Sequence, residues 1–325
     1  MDKNTARDEL LAYVAEKYYQ DDLKQTEIAA LVGVTRSAVS RMLTEARQKR
    51  LVEIIIHHPY QFSPDLEEKL HNTLHLKHVS VVSFQNQATD PELKKHLGRA
   101  GSRLIIKLIK PGDTIGLSWG TSIQSTVETL ESAAVQDSRV VQLVGVLGST
   151  RHSYSAQILV EQLAHKISGE GIYLYSPFIV ENGQTAASLL EDPAVFQALS
   201  AGRKCDLALV GIGSTKAEFC SLFQENHISF ETLQDLQESG AVGDVCGLYF
   251  NINGILSRVD FHQRRIGISL AGLQEINLRL GIAGNPGKAA AILGAVRGGF
   301  INALVTDAKT ARKVLELARD SGQSE

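Results

Sequence analysis

Apolar and polar positions alternate with a helical period through the first fifty residues. In 8–19 (DELLAYVAEKYY), Leu11, Val14, Ala15 and Tyr18 recur three and four apart, which predicts an amphipathic helix. Asp21 and Asp22 break that pattern. A second helix is expected from about Gln25 to Leu31, with Thr26 in its cap region, and a third from about Thr35 to Gln48. Gly33 lies between them, where a tight turn with positive φ suits glycine. Ile28, Val32, Val34, Val39 and Met42, with the small Ala29, are the positions expected to face between these helices. Leu51–Ile56 reads as a strand of the kind that forms a wing. Ser63-Pro64 then opens another helix, with serine as cap and proline at the first helical position. Its Leu66, Leu70 and Leu74 form one stripe, which could meet a second copy of the chain or pack on the following domain.

From Val79 onward short apolar runs alternate with helical patterns. Strands are expected at Val79–Phe84, Thr114–Leu117, Val140–Val146, Ile172–Tyr175, Leu207–Ile212, Gly267–Leu270, Arg279–Ala283 and Ala303–Thr306. Helices are expected at Pro91–Ile109, Ser122–Leu130, Ala156–Ile167, Pro193–Ala201 and Gly287–Gly298. This alternation predicts an α/β domain with a mostly parallel sheet covered on both faces. The chain is therefore divided into a winged helix-turn-helix at 1–57, a linker helix at 58–78 and a large α/β domain at 79–325.

Composition narrows the class. A chain of 325 residues, 43% apolar and 21% charged, is ordinary for two or three globular domains. No run approaches the roughly 20 apolar residues of a membrane span, and the polar first 25 residues show no secretory signal. Cys205, Cys220 and Cys246 are scattered and form no CxxC pair, so neither a disulfide framework nor a zinc knuckle is indicated. The expected compartment is the cytoplasm, with no membrane partner. The net charge of -3 speaks against nucleic acid, but the charge is unevenly spread. Between Thr35 and Arg50, Arg36, Arg41, Arg47, Lys49 and Arg50 face a single acid, Glu45. The outer face of the third helix carries Thr35, Arg36, Ser37, Ser40, Arg41 and Thr44, short hydroxyls and arginines suited to base edges and phosphates. A helical hairpin with a solvated charged face is the plainer alternative. The small residue, turn glycine, apolar set and basic outer face together favour double-stranded DNA.

In parallel sheets, ligands bind outside the carboxyl ends of strands, near helix N-termini. Four loops there carry candidate chemistry. Gly116–Ser122 includes Ser118, Trp119, Gly120, Thr121 and Ser122, offering backbone N–H groups, hydroxyls and a positive helix end. Gly148–Arg151 carries Arg151, which can grip an anion bidentately. Gly211–Ser214 includes Gly213, and Gly284–Lys288 places Lys288 at a helix start. Asp244 adds an acceptor for sugar hydroxyls. Together the loops point to a small anionic ligand. Lys288 also admits a second reading, as an amine that forms a Schiff base with an open-chain sugar. His71, His75 and His78 fall on roughly one helix face, but no cysteine or carboxylate completes a metal set, so neither metal nor cofactor is expected.

These segments resemble the SorC family of sugar-responsive bacterial transcriptional regulators. The likeness runs over nearly the whole chain. It is carried by Gln25–Met42, the Gly-x-x-Trp-Gly-Thr-Ser loop at 116–122, Asp206–Ser214 (DLALVGIGS), Gly240–Gly247 (GAVGDVCG) and Lys288–Asp307. The resemblance implies a large domain similar to sugar-phosphate isomerases and deaminases that works as a sensor, and homodimers or homotetramers on palindromic operators. It also implies that Thr121, Ser122, Arg151 and Lys288 hold an effector phosphate while Asp244 meets the sugar. Two departures stand out. Ala283–Gly287 lacks the paired glycines common before the lysine-bearing turn, and His152-Ser153-Tyr154 lies where effector selectivity varies. The rival class is a sugar-phosphate isomerase or deaminase with an appended DNA module. It calls for a poised base, for which Asp244 and His262 are available, and no catalytic pair is apparent.

Overall fold

The computed structural model describes residues 3–49, 51–52, 61–84, 88–148, 154–257 and 259–322. The chain forms two compact units, 1–59 and 60–325.

The smaller unit is built from α1 (Lys3–Tyr19), α2 (Gln25–Val32) and α3 (Arg36–Gln48). Leu11, Val14 and Ala15 of α1 pack with Ile28 and Ala29 of α2 and with Val39, Met42, Leu43 and Ala46 of α3. Gly33 ends α2 at φ 68, in the left-handed region that favours glycine. Val34 was expected between the helices but lies 38% exposed, because it falls in the turn after Gly33 rather than on a helix face. Lys24, not Thr26, begins α2, and its N–H donates to the Glu27 carboxylate at 2.7 Å. Thr35 caps α3 by accepting the Ala38 N–H at 3.2 Å. Leu51 and Val52 of the expected wing strand form a bend, and Glu53–Ile56 lie outside the described residues.

The larger unit continues with β1 (Gln61–Phe62), α4 (Pro64–Leu74), β2 (His78–Ser83), α5 (Asp90–Leu108), β3 (Thr114–Leu117), α6 (Thr121–Thr129), β4 (Arg139–Gln142), α7 (Ala156–Ile167) and β5 (Glu170–Ile172). Then come α8 (Gly183–Glu191), α9 (Pro193–Arg203), β6 (Leu207–Gly211), α10 (Ser221–Gln224), α11 (Phe230–Glu238), β7 (Gly243–Val245) and β8 (Leu248–Phe250). The unit closes with α12 (Phe261–Arg264), α13 (Leu270–Glu275), β9 (Leu278–Ile282), α14 (Ala289–Arg297), β10 (Ala303–Asp307) and α15 (Ala308–Gly322).

Among the described residues the main sheet has eight strands in the order β1-β2-β10-β9-β6-β3-β4-β5. All neighbours are parallel except the edge pair β1–β2. Both faces are buried, which explains why the strands read as continuous apolar runs. Leu207 and Leu209 point into the core under α5, α6 and α7, while Ala208 and Val210 point into the opposite core under α4, α14 and α15. From β3 the chain moves outward through β4 and β5, then returns to place β6 on the other side of β3. The order thus reverses between β3 and β6, and a crevice opens at their carboxyl ends.

The strands expected at Val140–Val146 and Ile172–Tyr175 end early, at Gln142 and Ile172, and two expected features differ in kind. Helix α4, expected as part of a linker, belongs to the larger unit: Leu66 and Leu70 are buried in its core. Of the two fates open to the leucine stripe, packing on the large domain is the one observed. Gly267–Leu270 is not a strand. Gly267 makes an isolated bridge to Val144, and Ser269 then accepts the Gly272 N–H at 3.1 Å and starts α13. A hydroxyl cap redirects a segment whose apolar content alone suggests a strand.

Candidate functional site

The loops that follow β3 and β6 meet in this crevice. After β3, the Ser118 N–H donates to Leu209 O at 3.1 Å, and its hydroxyl accepts the Gly211 N–H at 3.2 Å, which stitches the two loops together. Gly120 precedes α6 with φ 133, a conformation that strains any side-chain-bearing residue. Because glycine has no capping side chain, the first-turn N–H groups of α6 receive no cap from it, leaving a positive helix end toward the crevice.

A second support comes from the β7–β8 hairpin. Its two-residue turn, Cys246-Gly247, has positive φ at both positions (55 and 72), the twist that tight hairpins require. Asp244 accepts the Gly247 N–H through Oδ2 at 2.9 Å, and its backbone carbonyl accepts the Gly213 N–H at 2.9 Å. Gly213 has to be glycine here, since a Cβ would stand 1.9 Å from Asp244 Oδ1.

The third support is the turn before α14. Asn285 accepts the Gly287 N–H through its side chain at 2.9 Å, and Lys288 follows with Nζ donating to Ile212 O at 3.1 Å. The turn is anchored from β10, where Asp307 is buried and accepts the Asn285 N–H at 3.0 Å.

The crevice therefore brings together Ser118, Trp119, Gly120, Thr121, Ser122, Gly213, Asp244 and Lys288 around a cavity of about 50 Å³. Arg151 lies outside the described residues. Among the residues nearby, the Tyr154 carbonyl accepts the Gly120 N–H at 3.1 Å. A second cavity of about 510 Å³ opens where the chain leaves β4, lined by Val146–Gly148, Asn226 and His227. Residues 220–227 border both cavities, through Leu222 on one and Asn226 on the other.

Electrostatically the site sets two half-buried groups of opposite sign, Asp244 and Lys288, in a polar cradle. Burial pushes the Asp244 carboxyl up to about 6, and the Gly247 N–H, Lys288 and Arg265 pull it only partly back. Burial lowers Lys288 from its ordinary value, and Asp244 opposes that shift. Each group thus sits where another partner of opposite charge, or a hydrogen-bonding ligand, would be gained at little further desolvation.

Sequence reasoning missed four residues here. Arg265 is buried, its guanidinium held by the carbonyls of Cys246 at 3.1 Å and Ile268 at 2.5 Å. Tyr249 and Cys220 line the cavity, and Asp307 fixes the lysine turn. Asp307 had a readable signal, an acid between an apolar strand and a helix. Tyr249 and Cys220 lie among apolar neighbours, and Arg265 sits in the polar run His262–Arg265, so none of the three had one. His262 is not poised as a base: its Nε2 accepts the Tyr249 N–H at 2.8 Å, and burial lowers it to about 4. His71 Nδ1 pairs with Leu76 O at 2.6 Å, and among the described residues no His, Cys, Asp and Glu cluster is placed to hold a metal.

On the smaller unit, Thr35, Arg36, Ser37, Ser40, Arg41 and Thr44 are all exposed along α3. Of the basic residues nearby, Lys49 is taken up by Asp8 at 2.6 Å, and Glu45 pairs with Arg7 at 2.7 Å.

The sequence profile of the sugar-binding domain family matches residues 58–316, the span that builds this crevice. The chain belongs to the SorC family of sugar-responsive transcriptional regulators. It is 30% identical over 311 residues to the sorbitol operon regulator of Klebsiella pneumoniae, covering 94% of this chain and 98% of that one. It is 29% identical over 317 residues to the transcriptional regulator LsrR of Escherichia coli, covering 97% and 96%. The crystal structure of full-length SorC from Klebsiella pneumoniae superposes with a TM-score of 0.71 at 29% identity, covering 95% of this chain and 99% of that one. The SorC likeness thus extends through both units. Among the described residues no helix is long and apolar enough to cross a membrane.

Proposed function

We propose that this chain is a DNA-binding transcriptional regulator of carbohydrate metabolism whose operator affinity is set by a phosphorylated sugar, and that it is not an enzyme. The observation that carries this reading is the crevice itself. An uncapped helix N-terminus, a half-buried lysine and a carboxylate converge at the reversal point of a parallel sheet, in a chain whose relatives are named as regulators. The phosphate lies at the N-terminus of α6, on the Thr121 and Ser122 hydroxyls and backbone N–H groups, with Lys288 and Arg151 closing on it. Asp244 takes sugar hydroxyls at the other end. The 50 Å³ cavity has room for a few water molecules by the measure that gives one water about 10–15 Å³. A sugar phosphate therefore extends beyond it, past residues 220–227 toward the larger cavity. The spent imidazole of His262 supports a sensor rather than a catalyst.

On DNA, α3 enters the major groove with Arg36, Ser37, Ser40 and Arg41, and Thr35 and Thr44 border the phosphates. A homodimer or homotetramer presents paired helices to half-sites about one helical turn, or a multiple of it, apart. The sugar acts by favouring one assembly state over another, an effect typically worth about 5–150-fold in affinity.

The test is fluorescence anisotropy of the full chain on DNA from its own promoter region, across a panel of sugar phosphates and their parent sugars. One phosphate should change the DNA affinity while its parent sugar does not. Equal action of phosphate and parent would remove the phosphate assignment, and the absence of DNA binding would remove the regulator reading.

A further inference from the structure

Tyr249 is fully buried, and its hydroxyl has no hydrogen-bond partner among the described residues. A buried hydroxyl left unpaired is a standing cost to the fold and calls for an explanation. Its position supplies one. Tyr249 lines the crevice beside Asp244 and Cys220. In the β7–β8 register Asp244 stands directly opposite Tyr249, so both side chains leave the hairpin on the same face.

Neighbouring rings hold the side chain in place. It packs edge-on against Phe261 at 5.2 Å and stacks on His262 at 6.3 Å, while the Tyr249 N–H is fixed on His262 Nε2 at 2.8 Å. Asp244 has one oxygen committed to the Gly247 N–H and the other over Gly213.

The missing partner is not an anionic group, because the Asp244 carboxylate would repel it. A hydroxyl satisfies both neighbours at once, donating to the carboxylate and accepting from the phenol. The geometry points to Tyr249 as a specificity-determining residue: with Asp244 it holds one hydroxyl of the bound sugar and selects against sugars that lack it. This rests on the sugar-phosphate reading of the crevice and adds to it the end of the sugar that is read.

The experiment compares the full chain with its Tyr249→Phe variant. Melting is measured without ligand, with inorganic phosphate, and with pentose and hexose phosphates paired with their deoxy counterparts. Without ligand the variant should melt at or above the wild type, since the ring is kept and the orphan hydroxyl is gone. Inorganic phosphate should bind both proteins alike. The sugar phosphate that stabilises the wild type should lose about tenfold in affinity for the variant, while its matching deoxy compound binds both equally. A variant that melts well below the wild type without ligand would show that the hydroxyl is already paired inside the fold, and would overturn the proposal. Equal affinity of both proteins for every sugar phosphate would overturn it too, leaving Tyr249 as packing. If no phosphate compound stabilises even the wild type, the sugar-phosphate reading itself fails and this assignment goes with it. That outcome is told apart from the others because it needs no variant.

Discussion

Asp307 accepts the Asn285 N–H at 3.0 Å, so the last residue of β10 sets the turn that delivers Lys288. The same carboxylate starts α15 by accepting the Lys309 and Thr310 N–H groups at 3.0 Å and the Thr310 hydroxyl at 2.5 Å. One buried acid therefore serves both a helix cap and the ligand site. Asp307→Ala should cost about 1–3 kcal/mol of stability, because it leaves the buried Thr310 N–H and hydroxyl unpaired along with two partly buried N–H groups. It should also weaken ligand binding in protein that is still folded. Denaturant unfolding together with ligand titration checks both, and a stable variant with intact binding would show that the turn holds by itself.

The carboxyl of Asp244 gives a pH signature. Its value in the fold is about 6, against an ordinary 3.8. Between these values the folded chain keeps a proton that the unfolded chain has released. The group's contribution to stability is therefore greatest below about 4 and falls as pH rises through 6. Asp244→Asn cannot titrate. Its melting temperature relative to wild type should rise from about pH 4.5 to about pH 7. A constant difference across that range would mean that the carboxylate is well solvated.

Arg41 is exposed on the outer face of α3. If α3 lies on DNA, Arg41→Ala should weaken operator binding about tenfold and lower the slope of log affinity against log salt by about 1. Ser40→Ala should alter sequence preference more than salt slope. Both variants should keep the wild-type melting point, since neither side chain is in the core. Unchanged DNA affinity in Arg41→Ala would move the interface elsewhere.

The three cysteines are buried and free, and burial pushes Cys205 and Cys246 up to about 12 and Cys220 up to about 11. At pH 8 none is appreciably thiolate, so a thiol reagent should react with the native chain only slowly and with all three once it is unfolded. Rapid labelling of Cys220 in the native chain would show that the crevice opens far more than its cavity suggests.

The parallel core was legible because both of its faces are buried. Thr114–Leu117 stands as a bare apolar run between polar turns, and Ala156–Ile167 has an unmistakable helical stripe, so both were placed to the residue. The β7–β8 hairpin carries no strand signal in the sequence. Its three-residue arms are too short for periodicity, and its turn uses a cysteine at positive φ where Asn or Gly would have signalled it. Gly267–Leu270 misled because its apolar content outweighed one serine cap. At the site, Gly120 and Lys288 were readable as a helix start and a charged turn. The orphan hydroxyl of Tyr249 was not, because only the cross-strand register reveals that it faces Asp244.

The most direct test of the account is a ligand-binding melt with wild type and Lys288→Ala, using the sugar-phosphate panel and the unphosphorylated parents. At about 100 times its dissociation constant, the right sugar phosphate should stabilise the wild type by roughly 2.7 kcal/mol. It should stabilise Lys288→Ala far less, and its parent sugar should do nothing to either. If no phosphate stabilises the wild type, or if Lys288→Ala responds as the wild type does, the crevice between β3 and β6 is not the sugar-phosphate site.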